Sequence, residues 1–214
     1  MYDVAAFREE RIEVLHALIK AHPLATLVVT TAQGLEANHI PMLIDPEPAP
    51  DREFGTLRGH VARANPVWRT FNANTEALAV FQGPQGYVTP SWYPSKAQHG
   101  KVVPTWNYAV VHAHGPLKIY EDAEWLRALV TRLTESQESQ REKPWQVTDA
   151  PGDYVNTMLK AIVGIEIPIR RLQGKWKMSQ NRLPQDREGV MGALQAQGDA
   201  ACSAMLDAMG VKPP

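Results

Sequence analysis

The stretch Leu24–Ile44, LATLVVTTAQGLEANHIPMLI, decides the fold. Its first eight residues are short, apolar and β-branched, the signature of a buried strand. Gln33-Gly34 marks a turn, and Leu35–Ile44 reads as the returning strand of a hairpin. Working outward, Thr56–Ala62, Ala77–Phe81 and Val110–Tyr120 are further strand candidates. Ile165–Leu172 (IEIPIRRL) is a late strand, in which Pro168 suggests an edge or a bulge. Residues 7–20 (FREERIEVLHALIK) place Ile12, Leu15, Leu18 and Ile19 on one helical stripe that Pro23 ends. Ala64–Phe71 reads as one short helix with Pro66 in its first turn. Asp122 is a good N-cap for a helix over roughly 123–137. Thr148 or Asp149 with Pro151 opens another that ends near Gly164, and from Leu183 onward the chain reads as two helical pieces around Gly198. Strands joined by turns rather than crossover helices imply the α+β class: an antiparallel sheet or barrel with helices outside. We read residues 1–214 as one domain with a helical C-terminal extension at about 184–212.

Composition narrows the function classes. The 214 residues are 44% apolar and 21% charged, the profile of an ordinary globular protein. The summed charge of −1 advertises no global field for nucleic acid. No apolar run approaches the length of a membrane span, and the first residues carry charge rather than a signal-peptide core, so a cytoplasmic protein is expected. A single cysteine, Cys202, excludes an internal disulfide and a Cys-based zinc cluster. No G-x-G-x-x-G, P-loop or G-x-S-x-G motif is present.

Residues 82–108 (QGPQGYVTPSWYPSKAQHGKVVPTWNY) follow neither the helical nor the strand period and read as a functional loop. Tyr87, Trp92, Tyr93, Trp106 and Tyr108 there, with Trp176, could wall a pocket for a planar ligand, although core packing is the commoner fate of such rings. Arg63-Ala64-Asn65-Pro66, at a strand-to-helix junction, offers a guanidinium and backbone N–H groups to a phosphate. Lys96 and Lys101 flank the aromatic loop, and Lys175–Arg182 is a second dense polar cluster. His39, His60, His112 and His114 lie on predicted strands and could hold a metal or serve as hydrogen-bonding core residues. An antiparallel barrel with phosphate donors near aromatic walls suits a nucleotide-like cofactor, whose identity does not follow from these patterns alone.

The motifs resemble the FMN-binding negative transcriptional regulator family, the PaiB-like proteins. The matching segments are Pro23–Leu27, Ala37–Pro41, Gly59–Pro66, Phe81–Pro84 with Gly86–Val88, Pro90–Tyr93 with Ser95-Lys96, Val103–Tyr108, Val111–Gly115, Ile162–Glu166 and Lys175–Arg182. They run in family order to about residue 194, and the tail beyond 195 matches no motif. Val4 and Ala5 stand where the family start usually carries a proline. The resemblance implies an antiparallel split β-barrel with peripheral helices, related to pyridoxamine-phosphate oxidase-like proteins, forming a homodimer with FMN at or near its interface.

By position, the resemblance implies that Asn38, His39 and Ile40 flank the flavin ring and that Arg63, Ala64 and Asn65 hold its phosphate. Trp92, Tyr93, Lys96, Thr105, Trp106 and Asn107 would close the pocket, with Lys175 and Gln180 as further candidates. It also implies a flavin-dependent or flavin-sensing regulator. The helices are acidic or Ala-rich, so direct DNA binding has weak support. The alternatives are an FMN-dependent oxidoreductase, with Tyr93, His39 or His112 as proton donor, and a haem-binding split barrel with one of the four strand histidines as axial ligand.

Overall fold

The computed structural model describes residues 1, 2 and 4–210. In chain order the elements are β1 (Arg8–Glu9), α1 (Ile12–Ala21), β2 (Leu24–Thr31), β3 (Gly34–Pro41), β4 (Leu43–Asp45), β5 (Thr56–Ala62) and α2 (Val67–Thr70). Then come β6 (Ala77–Val88), α3 (Ser95–His99), β7 (Thr105–Gly115), β8 (Lys118–Tyr120), α4 (Ala123–Glu138) and α5 (Gly152–Lys160). The series ends with β9 (Ile162–Pro168), β10 (Arg171–Lys177), α6 (Pro184–Gln197) and α7 (Ala200–Gly210). The chain forms two compact units. The first holds Met1–Ala21, Gln82–His112 and Gln173–Pro214, and the second holds His22–Phe81 and Ala113–Leu172.

In the second unit the predicted hairpin forms in full. Leu24 faces Pro41 and Thr31 faces Gly34, with β6 on the other side of β2. Ala25, Leu27 and Val29 alternate inward, as the period-2 pattern requires. A separate sheet has the order β4-β5-β9-β8. Its central pairing sets β5 against β9 from Thr56↔Pro168 to Ala62↔Ile162. Arg58 of β5 bridges Asp45 of β4 and Glu166 of β9. Glu166 is buried and also accepts a hydrogen bond from Tyr120 at 3.2 Å. Leu126 of α4 pairs with Val155 and Leu159 of α5 in an apolar cluster that Trp125 and Ile162 join. Trp125 stacks on Tyr120 at 4.3 Å, in a space that a side chain at Gly164 would close.

In the first unit the strand order is β1-β10-β7-β6. Helix α1 presents Leu15, His16, Leu18 and Ile19 inward. A Cβ at Gly83 would come 2.7 Å from Leu18, and one at Gly86 would overlap Met205 of α7. These glycines are where helices lie directly on the strand.

Several expectations are corrected. The first helix starts at Ile12, because buried Glu9 accepts bonds from both the backbone and the guanidinium of Arg11, and Arg8-Glu9 pair with Lys175-Gly174. Ile12 is exposed rather than part of the buried stripe. The returning strand breaks at Met42, whose N–H donates to the Pro23 carbonyl at 2.9 Å. The helix expected over 64–71 is a single turn. Residues 82–108 are not one loop: β6 runs on to Val88 and β7 begins at Thr105. The strand expected to reach Tyr120 divides at Pro116 into β7 and β8. The helix expected to end near Gly164 stops at Lys160, because Ile162–Gly164 pair with β5. The expected strand 165–172 is two strands. Pro168 closes β9, which lies inside its sheet between β5 and β8, and the turn at 169–170 is held by Ile169 N–H to Gly55 O and Arg170 N–H to His114 O.

Helix α6 supplies a paired test. A Cβ at Gly189 would overlap the Trp92 carbonyl oxygen, whereas one at Gly192 meets nothing within 4 Å. Helix propensity alone makes either glycine-to-alanine change stabilising by up to about 1 kcal/mol. Gly192→Ala should show that gain in urea denaturation. Gly189→Ala should instead lose about 1–3 kcal/mol, because backbone must move.

Candidate functional site

The expected site residues fall into one group in each unit. In the second unit, Asn38 and Asn65 are hydrogen bonded, Asn65 Nδ2 donating to Asn38 Oδ1 at 2.7 Å. Asn65 Oδ1 accepts from the Val67 N–H at 2.9 Å, which closes the turn between β5 and α2. His39 is exposed on β3, and Ile40 is buried beside Gly59. Ala64 is exposed at the turn.

Arg63, expected to meet a phosphate, is already engaged through each of its three nitrogens. Nε donates to the Lys160 carbonyl at 2.8 Å, Nη2 to the Ile162 carbonyl at 3.2 Å, and Nη1 pairs with Glu121. Helix α2 is one turn long, and its Val67 N–H is taken by Asn65. This turn is therefore braced by its own side chains.

The first unit brings a denser polar group together. Half-exposed Trp106 lies against Tyr87, ring centroids 6.2 Å apart, and its indole N–H donates to Gln85 at 3.0 Å. Lys177 Nζ donates to the Trp106 carbonyl at 2.8 Å and to Thr105 Oγ1. Lys175 is buried, donates to the Tyr2 carbonyl at 3.0 Å and lies 5.8 Å from the Tyr108 ring. Asn107 is fully buried and exchanges hydrogen bonds with Ser179 at 2.9 and 3.2 Å.

Among the described residues, Ser179 is the one non-glycine with positive φ, 61°. That left-handed conformation costs on the order of 1 kcal/mol and is held by its surroundings. Gln180 closes the same turn, accepting from the Met178 N–H at 2.6 Å and donating to the Trp176 carbonyl.

Trp92, Tyr93 and Lys96 lie on the segment that faces α6. Ser95 gives both its N–H and its hydroxyl to buried Asp186, at 3.0 and 2.7 Å. The Arg182 guanidinium is 4.9 Å from the Tyr93 ring. Burial raises the Tyr93 phenol pKa, opposed by the Arg182 charge. Lys96 is exposed, within 3.4 Å of the Ser91 hydroxyl. Burial, then the charges of Lys175 and Arg182, lower the Lys177 ammonium pKa.

Sequence reasoning left Lys177 and Arg182 out of the named pocket. Extending the strand pattern to Lys177 would have put Lys175 and Lys177 on one face. Among the described residues, no three His, Cys, Asp or Glu come together to hold a metal, and no helix is long and apolar enough to cross a membrane.

Antiparallel sheets left open rather than closed, carrying peripheral helices, define a split-barrel α+β protein. A FAD- and haem-binding protein from Mycobacterium smegmatis shares this fold, with a TM-score of 0.53 and 16% identity over 79% of this chain and 73% of that one. The family described as "Putative FMN-binding domain" matches residues 1–171. Protease synthase and sporulation protein PAI 2 of Bacillus subtilis is 33% identical over 98% of this chain and 96% of its own length. An uncharacterized protein of Emericella nidulans is 38% identical over 94% of this chain and 93% of that one. The chain belongs to this PaiB-like, flavin-binding family, as the motif string implied.

The histidines generate a prediction. Burial depresses the pKa of His60, whose Nδ1 has no hydrogen-bond partner among the described residues, and that of His22. The unfolded chain then binds more protons than the folded one just below pH 6.5, so stability falls as pH drops from about 6.5 toward the folded pKa values. His60→Gln should make that decline shallower in urea titrations from about pH 7 to pH 5.

Proposed function

We propose that this protein binds FMN as a homodimer and works as a flavin-dependent regulator. The observation that carries the reading is the family match over residues 1–171, joined to near full-length similarity to a protein named for protease synthase and sporulation.

The residues present fit such a cofactor. FMN brings a flat ring, a polar ring edge and a phosphate with close to two negative charges. The half-exposed Tyr87 and Trp106 rings suit a planar face. Lys175, Lys177 and Arg182 supply positive charge without carboxylate partners among the described residues. When bound, the flavin supplies reversible electron transfer, and the protein tunes and orients it. Tyr93, whose burial keeps its phenol protonated, is the group best suited to hold a proton in the first unit.

Regulation by direct reading of DNA has little electrostatic support. The net charge is −1, and neither α6 nor α7 carries a basic residue in its last turn. A state-dependent surface, set by the flavin and shown to a partner, agrees better with these charges. The exposed Tyr87–Trp106 pair is apolar area that a ligand or a second copy would cover.

The test is the visible spectrum after incubation with FMN and removal of unbound ligand, alongside sedimentation. Retained oxidised-flavin absorbance on a dimer is expected, with about tenfold weaker retention in Trp106→Ala at unchanged secondary structure. A protein that retains no flavin at high micromolar FMN contradicts the reading.

A further inference from the structure

In the second unit, residues of α4 and α5 line a hollow of about 430 Å³ beside the Arg63 turn. Leu126 and Leu159 reach it from the apolar cluster, and both are almost fully buried. Asn156 and Lys160 line the same hollow from positions one helical turn apart on α5. The Arg63–Glu121 pair completes its polar side.

These polar groups are not equally free. Arg63 is spent on Glu121 and on the carbonyls of Lys160 and Ile162. Its bond to the Lys160 carbonyl covers the C-terminal end of α5, whose negative pole would otherwise repel an anion. Asn156 Oδ1 accepts from the Arg127 guanidinium at 2.7 Å, which leaves its amide nitrogen with two N–H groups to give. The exposed Lys160 ammonium has neither an ion pair nor a hydrogen bond among the described residues. Arg63 neutralises Glu121, so the charges lining the hollow leave one positive charge, that of Lys160, in surplus.

We propose that this hollow binds a monocarboxylic acid with an aliphatic tail, the carboxylate held by Lys160 and the Asn156 amide and the tail lying on Leu126 and Leu159. A single surplus charge suits one carboxylate better than a phosphate dianion, and the ammonium gives it a charge-assisted hydrogen bond. The leucine surface rewards each methylene it removes from water, by up to about fourfold in affinity. A small hollow with an apolar wall and a few placed polar groups is the usual form of such a site.

The experiment is a two-dimensional NMR titration of the full-length protein with hexanoate, hexanamide and acetate, with and without FMN. Hexanoate should bind saturably at millimolar concentration and shift the amide signals of Leu126, Leu159 and Lys160. Hexanamide, which lacks the charge, and acetate, which lacks the tail, should each bind at least about tenfold more weakly. Lys160→Gln, an exposed change that leaves the apolar cluster intact, should weaken hexanoate about tenfold, and Lys160→Arg should restore most of the loss. The exposed control Lys20→Gln on α1 should match wild type. The site is independent of the flavin reading, so FMN should leave hexanoate binding unchanged, and a chain that takes up no FMN should still bind hexanoate. No saturable shift at these helices, or equal affinity in Lys160→Gln and wild type, overturns the site. Displacement of hexanoate by FMN overturns it as well, because the hollow would then belong to the flavin.

Discussion

The seven-residue register between β5 and β9 is the constraint on which the second unit depends. It joins segments about a hundred residues apart, so it must overcome a large loop-closure cost, and its inward Leu57, Val61, Ile165 and Ile167 provide the burial that does so. The polar side of the same register is equally specific. Arg58 can reach Asp45 and Glu166 together only in this alignment, and a slip of one residue would turn its side chain to the other face. The register also delivers the carbonyls of Lys160 and Ile162 to Arg63, which fixes the turn where Asn65 meets Asn38.

In the first unit, packing is organised by missing side chains. Gly83, Gly174 and Gly189 lie where Leu18, Leu15 and the Trp92 carbonyl approach too closely for a Cβ. Beside these contacts, polar residues of β7 and β10 and of the turn that follows are tied together by hydrogen bonds. Buried Asn107 and Ser179 are expensive residues to keep from water, and the hydrogen bonds they exchange make them rigid.

The central hairpin, the strand Thr56–Ala62, the Asp122 cap and the break at Gly198 were legible because each rests on local chemistry: β-branched runs, turn residues, a capping side chain, a left-handed glycine. Lys177 and Arg182 were harder to place because Pro168 was read inside a single strand, so the alternation that aligns Lys175 with Lys177 was lost. The extension of β6 to Val88 was hidden by Gly83, Pro84 and Gly86, whose glycines answer helices distant in sequence. The phosphate role expected for Arg63 rests on its place before a short helix and on the family resemblance. Its partners, Glu121 and two carbonyls beyond residue 159, are tertiary facts that no local pattern carries. The family was legible because many weak segments occurred in the right order.

The most direct test of the central claim is a crystal structure of the protein grown with saturating FMN. The account predicts flavin bound with its ring at Tyr87 or Trp106 and its phosphate within hydrogen-bond reach of Arg182 and Lys177. Flavin held by the Arg63 turn with none of these residues in contact, or no flavin at all, would contradict it.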